Sequence, residues 1–433
     1  MILLVNIYIW RSFMDKASRT VTVIEASIVD PLFIAEHRSS PSAFTRKRKL
    51  TFAIVVGTIL QLAKRSMQIE CNLLGERLMA EPASKQAFSK ARYNIRYTGF
   101  KALNKKLLNE CYRDNSEGLW HGYRVLGIDG STTRLPKSKE TEEYFGRWDR
   151  GHDRNEKCPI MGRISEVVEL TTGIIVDAEI APWSYGERLM ASKQIEEVTT
   201  IFRSLEQHKQ LFVFDRGYIS KDLMKLITKN GAEFMFRIPR GYNNKIDDLV
   251  TQRASDTIFE FSPEFPKLRL LVHKLPSGED CVLLTSIIDQ EAIPSTALHR
   301  LYWRRWTGCE EGYKKQKVTL QLENFIGTGV EAVLQEFWAT IVAINIFQLH
   351  CFVEEGAWDL EDPPVERINR SVAFGSLRGA LFDVLLSKIS AQQFKDKFLQ
   401  VARRSKVKVR PGRSYSRSGV DKPKRYHVFR RTC

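Results

Sequence analysis

The chain has 433 residues, 43% hydrophobic and 10% aromatic, a composition that excludes a wholly disordered protein and can fill a large core. Its formal net charge of +16 and isoelectric point near 9.5 predict a polyanionic partner. Seven scattered cysteines without a CxxC pair indicate a reducing compartment and argue against a structural zinc site.

The N-terminal part, to about residue 118, lacks clear strand alternation and predicts a helical region. Its longest apolar run, Leu50–Ala63, is shorter than the roughly 18 residues that a membrane span needs, so it predicts a buried helix. Pro82 and Ser84 indicate a further helix start, with Ser84 as the N-cap. That helix carries three cations that are candidates for contact with DNA: Lys85, Lys90 and Arg92. An ordinary charged surface helix has the same pattern, and both interpretations stay open.

From Tyr123 the pattern changes to short apolar strands between helices. The stretch "YRVLGID" predicts a strand that ends at Asp129, and "ISEVVELTTGIIVDAEI" predicts a β-hairpin. The stretch "LFVFDRGY" predicts a buried strand that ends at Asp215. Residues 240–301 are strand-rich, helix returns from about His299, and "EAVLQEFWATIVAINIFQLHCF" predicts a long core helix.

Two acidic residues therefore end buried strands, although Asp is a poor strand residue. In a sheet that starts with a β-hairpin and continues with helical crossovers, the ends of the first and fourth strands lie side by side. A helix packed on that sheet can add a third carboxylate, and Glu310 in "LYWRRWTGCEEGYKKQK" fits this position. Asp129, Asp215 and Glu310 would together bind Mg²⁺ or Mn²⁺ with substrate phosphate, as in-line phosphoryl displacement requires.

The ordered set of motifs resembles the DDE transposases of bacterial cut-and-paste insertion sequences, in the group with a Tyr-Arg-Glu-Lys signature. The resemblance rests on "GIDGS", "FDRGY", "SKQAFSKAR" and "ENFIGTGVEAVLQEFWA", and it covers most of the chain. The signature positions are Tyr302, Arg305, Glu310 and Lys317. The resemblance implies that the three acids are catalytic and bind metal. It implies contact with DNA for Tyr302, Arg305 and Lys317, and for the neighbouring Lys314.

The implied fold is α/β: a ribonuclease H-like mixed sheet with a β-rich insertion, flanked by a helical N-terminal domain and a helical C-terminal region. We expect a helical DNA-binding domain at residues 1–118. The catalytic domain is expected at 119–350, with the insertion at about 240–301, and the helical C-terminal region at 351–433. From Arg403 onward the chain has twelve Lys or Arg against one Asp, which favours a basic tail that contacts nucleic acid over one that only aids solubility.

The implied function is a DNA transposase that cleaves, with metal, at the terminal inverted repeats of an insertion sequence and then transfers the strand to target DNA. Double-stranded DNA is the expected partner, Mg²⁺ or Mn²⁺ the cofactor, and a dimer on paired ends the assembly. No membrane is expected, and the location would be the bacterial cytoplasm, on the nucleoid. Two alternatives remain: a ribonuclease H-like nuclease without strand transfer, and a decayed or co-opted DNA-binding protein.

One spacing departs from the family pattern. Tyr302 to Arg305 is three residues and Glu310 to Lys317 is seven, as in the family, but Arg305 to Glu310 is five instead of four. On a regular helix at about 100° per residue, Arg305 would lie about 140° from Glu310, too far for a shared face.

We predict that the helix absorbs the extra residue as a π-bulge, or an equivalent irregular turn, near Gly308, which tolerates distortion. The bulge would return Arg305 to the face of Glu310. The alternatives are a regular helix with Arg305 toward solvent, Trp303 and Trp306 in the usual Tyr and Arg places, or a decayed reading frame.

Overall fold

The described residues form an α/β structure in which helices precede and follow one large mixed sheet. A computed structural model describes residues 2–46, 48–61, 65–113, 118–148, 158–205, 208–275, 278–314, 316–317, 320–356 and 365–409, without the side chains of 2–15, 307, 310 and 311. The basic tail from 410 onward therefore lies outside the described residues.

The helices and strands follow one another in the order expected for a helical region before a sheet. The helices are α1 Ile2–Val29, α2 Pro31–His37, α3 Phe52–Leu60, α4 Met67–Leu78, α5 Lys85–Arg92, α6 Thr98–Tyr112, α7 Lys139–Phe145, α8 Glu187–Leu205, α9 Lys221–Lys229, α10 Asn244–Thr251, α11 Ser295–Arg305, α12 Glu311–Lys314, α13 Val330–Glu355, α14 Arg370–Leu385 and α15 Ala391–Arg404. The strands are β1 Tyr123–Arg134, β2 Met161–Glu169, β3 Ile175–Pro182, β4 Lys209–Phe214, β5 Glu233–Arg237, β6 Asp256–Phe259, β7 Leu268–Lys274, β8 Asp280–Thr285, β9 Glu366–Ile368 and β10 Lys406–Lys408.

Eight of these strands form one sheet in the order β3-β2-β1-β4-β5-β8-β7-β6. Strands β1, β4 and β5 are parallel, and β2 and β3 form the antiparallel hairpin predicted from the sequence. Strand β4 is buried along "QLFVF", as expected where helices cover both faces of a parallel sheet. The order β3-β2-β1-β4-β5 is the ribonuclease H-like arrangement, so the predicted fold class is confirmed.

The strand-rich region between β5 and α11 continues the main sheet. Strand β8 pairs antiparallel with β5, and β7 and β6 follow antiparallel beyond it. The predicted β-rich segment is present, and it also contains the helix α10. The following helix begins at Ser295, a few residues before the predicted start.

The first strand is longer than predicted. Strand β1 continues to Arg134 and does not end at Asp129, although its pairing with β4 is recorded only as far as Gly127. Asp129 therefore lies within β1, just beyond the part of the strand that pairs with β4.

Contacts divide the chain into two compact units. One comprises Met1–Cys111, Thr133–Met161 and Lys315–Cys433, and the other Tyr112–Thr132 and Gly162–Lys314. The first contains most of the N- and C-terminal helices, and the second contains most of the sheet. The functional boundaries at 118 and 350 stay predictions, because compactness does not show which part binds DNA.

The helical unit contains the elements that the sequence indicated. Helix α5 has Ser84 as its N-cap, whose side chain accepts a hydrogen bond from the Ala87 amide, and α3 is buried along most of its length. Among the described helices, α13 alone is long and apolar enough to cross a membrane, and 89% of that stretch is buried in this structure. The predicted core helix is thus confirmed.

Candidate active site and nucleic-acid interface

The register of two parallel strands brings the first two predicted acids together. Gly127 of β1 pairs with Val213 of β4, and two more residues along each chain lead to Asp129 and Asp215. Asp215 directly follows β4, and Asp129 lies within β1, two residues beyond its last pair with β4; this is the side of an open α/β sheet where ligands usually bind. The Gly130 amide donates to Oδ1 of Asp129 at 3.0 Å, so the backbone helps to orient this carboxylate.

The arginine of the signature faces the same strand end. Nη1 of Arg305 lies 3.4 Å from Oδ2 of Asp129, and Arg305 is only 2% exposed. Burial alone would lower the pKa of Arg305, but the neighbouring oxygens of Tyr302 and Asp129 raise it, so the guanidinium stays charged. The alternative in which Arg305 points to solvent is wrong.

The helix reaches this position through the predicted irregularity. Residues Trp306–Glu310 form a π-helical turn between α11 and α12, so the π-bulge is confirmed. The turn packs closely on β1: a Cβ added to Gly127 would lie 2.8 Å from Sγ of Cys309. The Tyr313 hydroxyl in α12 donates to the carbonyl oxygen of Asp129 at 2.8 Å, which ties the helix to the strand end.

The third predicted acid is described only by its backbone. Glu310 ends the π-helical turn, and its side chain is outside the described residues. Within the part of the chain that the structure describes, no three His, Cys, Asp or Glu side chains are grouped so that they could hold a metal ion. The role of Glu310 as a ligand therefore stays a prediction.

Tyr218 and Glu187, which sequence reasoning missed, lie beside Asp129. A Cβ added to Gly130 would lie 3.0 Å from the Tyr218 hydroxyl and 3.1 Å from Cδ of Glu187. Glu187 is paired with Arg163. We call Asp129, Asp215 and Glu187 the acid cluster, because their charges all act on the Tyr218 hydroxyl. The sequence signal that could have indicated Tyr218 is its place in "FDRGY", the motif that also contains Asp215.

The predicted contact of Tyr302 with DNA is at odds with the structure. Tyr302 is 1% exposed, and Cζ of Arg305 lies 5.6 Å from the centre of its ring. The tyrosine packs against the guanidinium that faces Asp129, since both are on the inner side of α11. Of the two lysines, Lys314 is exposed and Lys317 is half-buried.

On α5, the three candidate cations separate into two kinds. Lys85 and Lys90 are exposed, as a phosphate contact requires. Arg92 is 3% exposed, and its guanidinium donates to Gln335, Glu336 and the Ala332 carbonyl, each at 2.9 Å. The predicted contact of Arg92 with DNA is therefore corrected: internal acceptors occupy this side chain, and it joins α5 to α13.

One wall of a wide groove is formed by the exposed side of α5. The groove has a volume of about 1070 Å³, and the described residues that line it include no Asp or Glu. Its cations are Arg46, Arg48, Lys49 and Lys90. We call this the basic groove. Lys49 lies 3.9 Å from Glu81 in an exposed pair, an interaction too weak to neutralise the groove.

The strand order and the paired acids define a class: ribonuclease H-like enzymes of phosphoryl transfer. The family model described as "Transposase DDE domain" matches residues 120–346. The transposase InsG of insertion sequence element IS4 from Escherichia coli K12 is 24% identical over 341 residues, 73% of this chain and 74% of InsG. The putative transposase InsZ of the same organism is 25% identical over 124 residues, 29% of this chain and 38% of InsZ.

Among solved structures, the piggyBac transposase synaptic complex with hairpin DNA is similar, with a TM-score of 0.49 and 12% identity, over 91% of this chain and 87% of that one. The family match spans more than half of the chain. The chain belongs to the DDE transposase family, and its activity is phosphoryl transfer on DNA with a divalent metal.

Proposed function

We propose that the chain cleaves DNA at the terminal inverted repeats of an insertion sequence and transfers the freed 3′-hydroxyl strand to target DNA. The observation that carries the proposal is the meeting of Asp129 and Asp215 where the pairing of two parallel strands ends, with Arg305 against Asp129. This arrangement concentrates carboxylates where a phosphodiester would meet a buried cation. Its setting would be the bacterial cytoplasm, where the DNA is.

Asp129, Asp215 and Glu310 are the residues that would hold the metal, and Mg²⁺ is the ion we propose. The donor set fits: carboxylate oxygens are the ligands that Mg²⁺ and Mn²⁺ prefer, and Asp129 keeps 14% of its side chain exposed. A bound divalent ion would activate the attacking oxygen and stabilise the leaving one. The Arg305 guanidinium orients Asp129 and offsets its charge before DNA arrives.

For the DNA ends we propose the basic groove together with Lys85. Four cations without acidic neighbours in the described lining create a positive field that attracts phosphates. This proposal replaces Arg92, whose guanidinium has internal partners. Lys314 and Lys317 remain candidates for contact with the DNA near the site of cleavage.

The test is cleavage of the element's own ends. DNA from both flanks of the gene, with its imperfect inverted repeats, would be incubated with the purified full chain and Mg²⁺, and the cut positions mapped. We expect cuts at the outer edges of the repeats and none in shuffled repeats of the same composition. Equal cutting of both DNAs would contradict the proposal.

Strand transfer separates a transposase from a nuclease of the same fold. Ends that are already cut, with a free 3′-hydroxyl, would be supplied with a circular target. Covalent joining of ends to the target is the expected result, whereas cutting without any joined product would favour the nuclease.

The proposed assembly is a dimer on paired ends, in which one subunit acts on the end that the other binds. An Asp215→Asn protein and a protein neutralised in the basic groove would each be inactive alone. Their mixture should recover part of the activity, and no recovery with both proteins folded would argue against catalysis in trans.

A further inference from the structure

The Tyr218 hydroxyl is a buried polar group to which the contacts of the fold assign no role. Tyr218 is 2% exposed, and its hydroxyl has no hydrogen-bond partner among the described residues. Buried hydroxyls are nearly always paired, because an unmade hydrogen bond destabilises the fold. Such an exception next to acids that are proposed to be catalytic suggests that the partner arrives with the substrate.

The turn after β4 fixes where this hydroxyl points. The Gly217 amide donates to Oδ1 of Asp215 at 2.8 Å, an Asx turn, and the Tyr218 amide donates to the Asp215 carbonyl at 3.3 Å. The Tyr218 ring then lies against Phe214, with ring centres 5.6 Å apart. Gly130 has no side chain to block the hydroxyl, since a Cβ there would stand 3.0 Å away.

The surroundings of the hydroxyl favour a role as donor, because ionised carboxylates only accept hydrogen bonds. Burial, followed by the charges of Asp129, Glu187 and Asp215, raises the pKa of Tyr218 well above its usual value. The acid cluster is near enough for its charges to act on the hydroxyl, yet the hydroxyl makes no hydrogen bond among the described atoms. An acceptor placed between the hydroxyl and the two strand-end aspartates would complete the arrangement, and a phosphate oxygen has the required chemistry.

We propose that Tyr218 is a further catalytic residue whose hydroxyl donates a hydrogen bond to a non-bridging oxygen of the scissile phosphodiester. The inference rests on the proposed function. No proton is transferred: the hydrogen bond strengthens as negative charge grows on the phosphoryl oxygens in the transition state, and it therefore accelerates the reaction. It also relieves the unpaired state of the hydroxyl when DNA is bound.

The test is Tyr218→Phe, which removes the hydroxyl and keeps the ring. Single-turnover cleavage of end DNA in Mg²⁺ should slow by about 10- to 100-fold. The melting temperature of the DNA-free protein should stay unchanged or rise, because an unpaired buried hydroxyl is gone. A second measurement is binding of DNA with and without the scissile phosphate in Ca²⁺: the variant should lose most of the preference for DNA that contains it.

The matched control is Tyr112→Phe in the same unit. Tyr112 is equally buried, but its hydroxyl donates to Oε2 of Glu169 at 2.7 Å. This variant should melt at a lower temperature by about 2 °C or more and should cleave at the normal rate below that temperature.

Three outcomes would overturn the inference. They are a cleavage rate within twofold of the parent, a fall in melting temperature as large as that of Tyr112→Phe, and recovery of the lost rate at higher Mg²⁺. Recovery at higher Mg²⁺ would mean that the hydroxyl helps to bind the ion and its waters and does not contact the phosphodiester. Failure of the unaltered protein to cut its ends would instead contradict the proposed function, and the Ca²⁺ binding preference would still decide the role of Tyr218.

Discussion

The acid cluster and the basic groove handle charge in opposite ways. Around Asp129, charge is buried and matched: Arg305 is 2% exposed, and its guanidinium lies against the carboxylate. In the basic groove the cations Arg46, Arg48, Lys49 and Lys90 are exposed. A buried, oriented charge acts at one point on one bond, whereas exposed cations act together on a long polyanion. Substitutions should therefore have large effects in the first region and small, additive effects in the second.

The sharpest way to break this comparison is to neutralise one strand-end acid. Asp129→Asn or Asp215→Asn should reduce cleavage by about 1000-fold or more, because carboxylate ligands and the ion they would hold stabilise the transition state. Binding of end DNA, measured by gel shift without added metal, should stay within about twofold, since the groove is intact. Asp222→Asn, an exposed acid in the first turn of α9, is the control and should cleave normally.

The second-largest effect on cleavage is expected from replacing the buried Arg305. Arg305→Gln removes the guanidinium that lies against Asp129, and we expect cleavage to fall about 100-fold and the free energy of unfolding to fall by about 3 kcal/mol. Arg269→Gln is the control: Arg269 forms a buried pair with Asp256, with both contacts at 2.7 Å. It should destabilise the fold similarly, without slowing cleavage at temperatures where the protein stays folded.

A single substitution in the basic groove should have a modest effect on the binding of DNA. Lys90→Gln or Arg48→Gln should weaken binding of end DNA several-fold and reduce the slope of log affinity against log salt by roughly one unit for each lost phosphate contact. Lys105→Gln, an exposed lysine on α6, is the control. If one groove substitution alone abolished binding, or if the slope stayed the same, the additive picture of the groove would be wrong.

The smallest effect is expected from removing Gly308. The deletion takes the extra residue out of the π-helical turn and restores a regular helix, in which the step of four residues would place Arg305 and Glu310 on one face. Cleavage should stay within about twofold of the parent, because the deletion removes only the irregular turn. Deleting Gly312 instead leaves the step from Arg305 to Glu310 at five residues and shortens the step from Glu310 to Lys317 from seven residues to six, and it should impair cleavage more. A larger loss of cleavage on deleting Gly308 than on deleting Gly312 would contradict the view that the bulge only accommodates the extra residue.

The sheet and its strand-end acids were predictable because they rest on local patterns. Apolar runs that lead to Asp129 and Asp215 show in the sequence, although β1 continues past Asp129 to Arg134, and a hairpin followed by crossovers fixes which strands are neighbours. The π-helical turn was also predictable, since a count of five residues between Arg305 and Glu310 cannot fit one face of a regular helix.

The errors came from contacts that are distant in sequence. Arg92 looks exposed by periodicity, but its partner Glu336 is 244 residues away, and no local pattern reports it. Tyr302 was placed on the DNA because of the signature, yet packing of α11 on the sheet buries it. Tyr218 was missed because its importance lies in the direction that the turn after β4 gives to its hydroxyl.

The buried contact of Arg92 has a consequence for folding during synthesis of the chain. Helix α5 leaves the ribosome long before Glu336 is made, and at about 5–20 residues per second the interval is roughly 12–50 s. During that time the three acceptors of the Arg92 guanidinium on α13 are not yet made, so the contact that joins α5 to α13 is missing. The wall of the groove that is proposed to bind the DNA ends is therefore completed late in synthesis, after the strands that carry the acids proposed to be catalytic.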